Sequence, residues 1–174
     1  ECRKEMGKQL SIEHPTKGDI VIPVPDSGVP AALGFSEESK IPFDLGIIRN
    51  HYVGRTFIEP TQKIRQLGIK LKHNPNRKLI KNKKVILVDD SIVRGTTALK
   101  IVEMVREAEA AEVHMRISSP PIKFPDYYGI DTPKKEELLA SNYNIEEMTK
   151  KLKLDSLKFL SIKGVYKSMG FTDR

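Results

Sequence analysis

The chain has 174 residues, of which 39% are hydrophobic and 30% charged, a balance typical of one soluble globular domain. Its single cysteine, Cys2, excludes an internal disulfide and a metal site built from several thiolates of this chain. No apolar run approaches the length of a membrane span and no signal peptide is visible. We therefore expect a cytoplasmic protein that does not bind a membrane.

The two ends of the sequence predict that the chain is part of a longer protein. Residue 1 is Glu rather than Met, and residues 1–10 read as a helix already in progress. At the other end, the sequence reaches Arg174 after Thr172 and Asp173 with no pattern that marks the end of a domain. We therefore expect a partial domain that lacks a first strand before Glu1 and is truncated at its C-terminal end.

The first half of the chain predicts alternating strands and helices. Residues 19–24 form an apolar run typical of a buried strand, and residues 25–28 read as the loop that ends it. Residues 29–39 predict a helix, and residues 43–48 a second strand. Residues 49–76 are polar, basic and fit no regular element, and loops of this length in compact domains are usually functional lids or disordered.

The second half continues the alternation. Apolar side chains recur at helical spacing along residues 96–110, which predicts one apolar helix face packed on a sheet. Strands that alternate with helices imply a mostly parallel sheet with right-handed crossovers, so the predicted fold class is α/β. The predicted strands are residues 84–88, 113–117 and 157–160, and the predicted helices are residues 96–110, 134–140 and 145–153.

Most of the formal net charge of +7 comes from one region. Residues 55–84 contain ten Lys or Arg and one acid, Glu59. Such a stretch binds nucleic acid, covers a solvated face or attracts a small polyanion. No interleaved aromatic residues and no helix-turn-helix pattern support nucleic-acid binding, so we expect no nucleic-acid partner.

The most informative segment is residues 85–97, with the sequence VILVDDSIVRGTT. An apolar strand ends in two adjacent carboxylates, Asp89 and Asp90, and a loop with Gly95 leads into a helix. In a parallel sheet, ligands collect at the carboxyl ends of the strands, and a helix N-terminus offers N–H groups to a phosphate. One sugar phosphate would use both halves of the segment. The segment is neither a P-loop nor a dinucleotide-binding fingerprint.

The loop after the first predicted strand has the sequence Pro25-Asp26-Ser27-Gly28, which by itself is an ordinary turn pattern. If the sheet is parallel, this loop lies at the same edge as residues 89–97. Its N–H groups and the Ser27 hydroxyl would then face a second phosphate group. The combination predicts a pyrophosphate loop beside a ribose-phosphate loop.

Residues 85–97 closely resemble the ribose-5-phosphate-binding signature of type I phosphoribosyltransferases, which use 5-phosphoribosyl pyrophosphate (PRPP). A narrower resemblance, to the amidophosphoribosyltransferase family, extends over nearly the whole chain. It begins at residues 48–58, which contain the motif YVGRTF, and continues through Arg65 to Lys72. The other segments that carry it are residues 118–121, 128–131, 136–141 and 157–164.

The resemblance implies a type I phosphoribosyltransferase fold and a reaction. Ammonia attacks C1 of the PRPP ribose and displaces pyrophosphate, which gives 5-phosphoribosylamine in the first committed step of purine synthesis. In the family, a preceding glutaminase domain releases the ammonia from glutamine by means of an N-terminal cysteine, which Cys2 does not match. Family membership also implies feedback inhibition by purine nucleotides and a homo-oligomer.

The resemblance also implies roles for individual residues. Asp89 and Asp90 match the pair that binds the ribose hydroxyls. Ser27 and the two aspartates match positions associated with Mg²⁺. Tyr52, Arg55 and Lys72 resemble catalytic loop residues that close over PRPP. The remaining residues that are expected to bind PRPP are Asp26, Gly28, Ser91, Arg94, Gly95, Thr96 and Thr97.

The chain departs from the family pattern at two places. Family members often have Lys-Asn-Arg before the YVGR motif, whereas this chain has Arg49-Asn50-His51. Some members also hold an iron–sulfur cluster with a cysteine near residues 124–128, where this chain has none. We therefore expect no iron–sulfur cluster here.

Two alternative functions share the signature in residues 85–97. A salvage phosphoribosyltransferase would couple PRPP to a purine or pyrimidine base, but the segments around residues 52–57 and 128–131 argue against it. A non-catalytic, PRPP-sensing regulatory module is the other alternative, which the net charge keeps open.

Overall fold

The computed structural model describes residues 1–49, 73–126 and 134–171. In these parts of the chain, helices and strands alternate. The helices are α1 (Cys2–Glu13), α2 (Val29–Ser39), α3 (Arg77–Ile80), α4 (Thr96–Glu107), α5 (Leu139–Asn142), α6 (Ile145–Lys151) and α7 (Ile162–Ser168), with a 3-10 turn at Lys135–Glu137. The strands are β1 (Ile20–Pro23), β2 (Ile47–Arg49), β3 (His73–Pro75), β4 (Lys84–Asp89), β5 (Glu112–Ile117) and β6 (Ser156–Phe159).

The central sheet of the described residues has the strand order β1-β4-β5-β6, and all three pairings are parallel. The α/β class and the parallel sheet flanked by helices are therefore confirmed. β1 and β4 pair so that Pro23 lies beside Val88, which brings the loops that follow these two strands together. The carboxyl edge of the sheet is thus the place where the two predicted ligand loops meet.

Both faces of the sheet are buried, which explains why its strands read as continuous apolar runs. One face packs on α4, whose Ile101, Val102 and Val105 belong to the larger core with Leu87 and Met115. The other face packs on α1 and α2 in a smaller core. The buried members of this smaller core are Leu10, Val21, Ala31, Ala32, Phe35, Ile86, Val88 and Leu160.

Helices α1 and α2 approach each other through glycines. A Cβ added at Gly7 would collide with the backbone of Ala31, and one added at Gly34 would collide with the backbone of Lys4. This contact fastens α2, and with it the loop at residues 25–28 that leads into α2.

Several predicted elements hold, with small shifts at their ends. The predicted helix at residues 29–39 is α2, and the predicted strands at 84–88, 113–117 and 157–160 are β4, β5 and β6. The helix predicted for residues 96–110 ends at Glu107, because Glu109 has a positive φ of 67° that a helix does not accommodate.

The strand predicted at residues 43–48 is wrong as a single element. Phe43 makes an isolated parallel bridge to Val21, while β2 pairs with β3 in a separate antiparallel ladder. Gly46 separates the two parts, and it packs so closely on Ile22 that a side chain there would collide with it. Residues 49–76 were predicted to lack regular structure, which is wrong at Arg49 and at β3.

Other differences concern short helices. The helix predicted for residues 134–140 is divided at Leu138, whose backbone is extended and whose side chain is fully buried. Helices α3 and α7 have no counterpart in the predicted elements. No helix in the described ranges is long and apolar enough to cross a membrane.

Candidate functional site

A cavity of about 360 Å³ opens at the carboxyl ends of β1 and β4. The two predicted ligand loops form its walls, and β2 and β3 each contribute one residue at its rim. The lining residues are Val24, Pro25, Ser27, Arg49, His73, Asp89, Asp90, Ser91, Ile92, Val93, Arg94, Gly95, Thr96, Thr97 and Ala98.

Asp89 and Asp90 both line this cavity but have different surroundings. The Asp89 side chain is buried, with 8% of the residue exposed, whereas Asp90 is half-buried. Asp89 Oδ1 accepts a hydrogen bond from the Asp90 N–H at 2.8 Å and a longer one from Ser27 Oγ at 3.4 Å. This geometry holds the Asp89 carboxylate between the two loops.

Burial raises the pKa of the Asp89 carboxyl to about 7, and the charge of Asp90 acts in the same direction. The hydrogen bonds from the Asp90 N–H and from Ser27 lower the pKa but only partly offset these causes. Without a ligand, Asp89 therefore exchanges its proton near neutral pH. A cation or a pair of hydroxyl groups that binds there would favour the ionised form.

The loop that follows Asp90 leads directly into α4. Gly95 adopts a φ of +78°, in the left-handed region that favours glycine, and Thr96 is the first helical residue. The first N–H groups of an α-helix have no partner inside the helix, and the helix dipole favours an anion at this end. Thr96 and Thr97 are exposed to the cavity side of the loop, so their hydroxyls are available to the same anion.

The loop at residues 25–28 is held by its backbone. Gly28 is buried so tightly that a Cβ there would collide with the carbonyl oxygens of Val88 and Val24. The Val24 N–H donates to the Val88 carbonyl at 2.9 Å, and the Gly28 N–H donates to the Val24 carbonyl at 3.0 Å. The peptide bond between Pro25 and Asp26 is cis. These contacts place Ser27 next to Asp89.

Most of the predicted site residues come together. Ser27, Asp89, Asp90, Ser91 and residues 94–97 line the one cavity. Asp26 and Gly28 belong to the same loop as Ser27 but do not line the cavity. Tyr52, Arg55 and Lys72, and the His51 departure, lie outside the described residues.

Two polar lining residues were not predicted as site residues, namely Arg49 and His73. Arg49 Nη1 donates to Asp26 Oδ2 at 2.7 Å, which places a cation over the loop at residues 25–28. Arg49 could have been found as the basic residue that ends an apolar run. No local pattern points to His73, because it reaches the cavity only through the pairing of β3 with β2.

The donor set at the cavity suits Mg²⁺ better than a softer metal. In the described parts of the chain, no group of three or more His, Cys, Asp or Glu is arranged to hold a metal ion. Two carboxylates and one hydroxyl, from Asp89, Asp90 and Ser27, are hard oxygen donors. Mg²⁺ keeps several waters and uses one or two carboxylates together with substrate phosphates, so this small set fits it.

Comparison with known proteins is consistent with this geometry. The family model of the phosphoribosyl transferase domain matches residues 4–118, more than half of the chain. An amidophosphoribosyltransferase of Rhizobium etli is 62% identical over 173 residues, which are 99% of this chain and 35% of that protein. One of Methanocaldococcus jannaschii is 54% identical over 98% of this chain and 36% of its own length.

A solved structure of the glutamine PRPP amidotransferase of Bacillus subtilis, complexed with ADP and GMP, superposes with a TM-score of 0.88 at 50% identity. The match covers 97% of this chain and 37% of that one. A second structure, described as the allosteric regulatory enzyme of purine biosynthesis, has the same TM-score at 49% identity. The chain thus spans about a third of the length of the relatives it matches.

Proposed function

Since the chain belongs to the phosphoribosyl transferase domain family, we propose that it carries the phosphoribosyl-transfer half of an amidophosphoribosyltransferase. In this reaction the nitrogen of ammonia forms a bond to C1 of PRPP while the bond from C1 to pyrophosphate breaks. The nitrogen then loses a proton, and the products are 5-phosphoribosylamine and pyrophosphate. The names of the 50–62% identical relatives favour this reaction over base salvage and over a non-catalytic sensor.

The observation that carries the proposal is the position of Asp89 between two anion-accepting loops. One loop leads into the N-terminus of α4, and the other contains Ser27, whose hydroxyl lies 3.4 Å from Asp89. PRPP has the same order of groups, with a phosphate at one end, two ribose hydroxyls in the middle and a pyrophosphate at the other end. The cavity of about 360 Å³ is of the size found for small-molecule sites.

In this assignment each part of the cavity binds one part of PRPP. The Asp89 and Asp90 carboxylates accept hydrogen bonds from the ribose hydroxyls. Residues 94–97 hold the 5-phosphate, and residues 26–28 hold the pyrophosphate. Arg49 lies at the pyrophosphate end, where its charge complements the leaving group.

The chemical step needs no nucleophilic side chain of this chain. As the bond to pyrophosphate breaks, positive charge develops at C1 and negative charge on the leaving group, so groups arranged in advance around both lower the barrier. Mg²⁺ bound by Asp89, Asp90 and Ser27 would supply further charge stabilisation for the pyrophosphate. Tyr52, Arg55 and Lys72 keep the role implied by the family resemblance, namely closure over PRPP, and the charges of Arg55 and Lys72 would stabilise the leaving group.

The remaining parts of the proposal concern the whole protein. A glutaminase domain would supply the ammonia, and the assembly would be a homo-oligomer in the cytoplasm. Purine nucleotides are proposed as inhibitors, which is supported by the relative that was solved with ADP and GMP.

The test is pyrophosphate release from PRPP by this chain in the presence of Mg²⁺, with ammonia at alkaline pH or with glutamine. Release with ammonia but not with glutamine is expected, because Cys2 does not match the glutaminase nucleophile. The double change Asp89→Asn and Asp90→Asn should abolish release. A matched control, Glu38→Gln with Glu146→Gln, removes two exposed carboxylates and should leave release unchanged.

Three results would count against the proposal. Turnover of PRPP that depends on a purine or pyrimidine base would indicate a salvage enzyme. Protection by PRPP against thermal unfolding without any turnover would indicate a binding module. Full activity in the double aspartate variant would show that the cavity is not the site.

A further inference from the structure

The loop between β4 and α4 is held from outside by a segment distant in sequence, residues 135–142, which we call the bracket. Arg94 Nε donates to Glu137 Oε2 at 2.7 Å. The Leu139 N–H donates to the Val93 carbonyl at 2.9 Å. A Cβ added at Gly95 would lie 2.7 Å from Leu139 Cδ2. Three successive loop residues are therefore each in contact with the bracket.

The bracket is itself well fastened. The Asn142 side-chain amide donates to the carbonyls of Glu136 and Leu138, each at 2.8 Å. The Ser141 hydroxyl donates to the Lys123 carbonyl in the segment after β5. Leu138 is fully buried. The Asn142 bonds hold the bracket in shape, while the Ser141 bond and the burial of Leu138 anchor it to the rest of the domain. The bracket can therefore fix the loop that it contacts.

The ion pair to Glu137 changes what the Arg94 side chain can do. An arginine in a phosphate-binding loop is expected to point its guanidinium at the phosphate. Here its Nε is directed at Glu137, and both side chains are about half exposed, 51% for Arg94 and 49% for Glu137. The Arg94 Nε is therefore occupied by Glu137, whereas the N–H groups at the start of α4 and the hydroxyls of Thr96 and Thr97 are available to the anion.

We propose that Glu137 is a positioning residue for the 5-phosphate and that Arg94 acts through Glu137 rather than by direct contact with the phosphate. This inference rests on the proposed function, because it needs the loop at residues 94–97 to bind the phosphate. The pair holds the loop in the shape in which the first N–H groups of α4 face the cavity. An arranged loop binds more tightly because it loses less conformational freedom when the ligand arrives.

A double-mutant cycle on the full chain tests the pair, with ribose 5-phosphate as the probe and calorimetric titration as the measurement. Ribose 5-phosphate carries the phosphate and the ribose hydroxyls but no pyrophosphate, so it reports on this loop and the two aspartates and not on the pyrophosphate loop. Glu137→Gln and Arg94→Gln are each expected to weaken its binding by about threefold to fivefold, the upper part of the range for an exposed ion pair. The double variant should be no weaker than either single variant, because both changes remove the same interaction.

Three controls separate positioning from a general loss of structure. Glu136→Gln removes a neighbouring exposed carboxylate and should leave the affinity unchanged. Glu137→Asp keeps the charge and should restore part of the lost affinity. Binding of inorganic pyrophosphate to Glu137→Gln should match the unchanged chain, since the loop at residues 25–28 is held by its contacts with Val24 and Val88.

The inference is overturned if ribose 5-phosphate binds Glu137→Gln as tightly as the unchanged chain. It is also overturned if Arg94→Gln weakens binding far more than Glu137→Gln and the effects add in the double variant, since Arg94 would then contact the phosphate directly. If the unchanged chain binds neither PRPP nor ribose 5-phosphate, the proposed function itself fails. The two failures are therefore distinguishable.

Discussion

The two loops at the cavity are both proposed to bind phosphate groups, but different contacts hold them in place. The loop at residues 25–28 is fastened by its own backbone and that of the neighbouring strand, with Gly28 against the carbonyls of Val88 and Val24. The loop at residues 91–97 is fastened by the bracket, through Glu137 and Leu139. The first loop is therefore sensitive to a side-chain atom added at Gly28, and the second to changes in residues far away in sequence.

The change with the largest expected effect on this contrast is Gly28→Ala. The new methyl group would meet two backbone carbonyl oxygens, which cannot move without displacing β1 or β4. We expect a loss of about 3 kcal/mol or more in the free energy of unfolding, as for overpacked cores. Chemical denaturation measures this directly.

The matched control for that change is Gly170→Ala. Gly170 has a positive φ of 84°, but nothing lies within 4 Å of its missing Cβ. Only the conformational strain of about 1 kcal/mol should remain there. Equal losses at the two positions would show that close packing at Gly28 is not what holds the first loop.

The next change, Asp89→Asn, acts on the residue that both loops share. The Asp89 pKa is about 7 in the folded chain and 3.8 in the reference state, so the folded chain retains a proton that the unfolded chain loses. The stabilisation of the folded chain by this proton is fully present below pH 4 and is lost as the pH rises through 7. The upper limit of the loss is about 4 kcal/mol. At pH 8 without divalent cations, Asp89→Asn should therefore be more stable than the unchanged chain by about 1–3 kcal/mol and should unfold at a higher temperature. It should nevertheless bind ribose 5-phosphate poorly.

Melting temperatures measured from pH 4 to pH 8 test the direction of this pH dependence. The unchanged chain should lose stability relative to Asp89→Asn across this range. Asp90→Asn should keep most of that dependence, because burial is a larger cause of the shift than the Asp90 charge. A parallel pH dependence of the unchanged chain and Asp89→Asn would contradict the assignment.

The smallest expected effect belongs to Gly95→Ala, the counterpart of Gly28→Ala in the second loop. The positive φ costs about 1 kcal/mol for alanine, and the neighbour it meets is the end of the Leu139 side chain, which can turn away. We expect a loss of stability of about 1–2 kcal/mol, below that of Gly28→Ala. Binding of ribose 5-phosphate should weaken while binding of pyrophosphate does not, as titration with each ligand would show. Equal weakening for both ligands would mean that the two loops are not independent.

The parts of the fold that were predicted correctly are those in which local pattern and tertiary structure agree. Continuous apolar runs predicted β1 and β4 because both faces of the central sheet are covered, and α4 followed from its one apolar face. The strand predicted at residues 43–48 failed because β2 pairs with β3, which lies 24 positions further along. The helix predicted at residues 134–140 failed because Leu138 must be extended to bury its side chain while Leu139 bonds to Val93.

The sequence by itself determined the chemistry of the candidate site: two carboxylates after a buried strand, a glycine in the loop that follows and two threonines at a helix start. Those properties are local, since they depend on residue types at fixed spacing within one strand–loop–helix unit. Tertiary structure alone decided that Asp89 is buried enough to have a raised pKa, that Arg49 pairs with Asp26, and that Arg94 points at Glu137. The two ion pairs join residues 23 and 43 positions apart, and no spacing rule reaches that far.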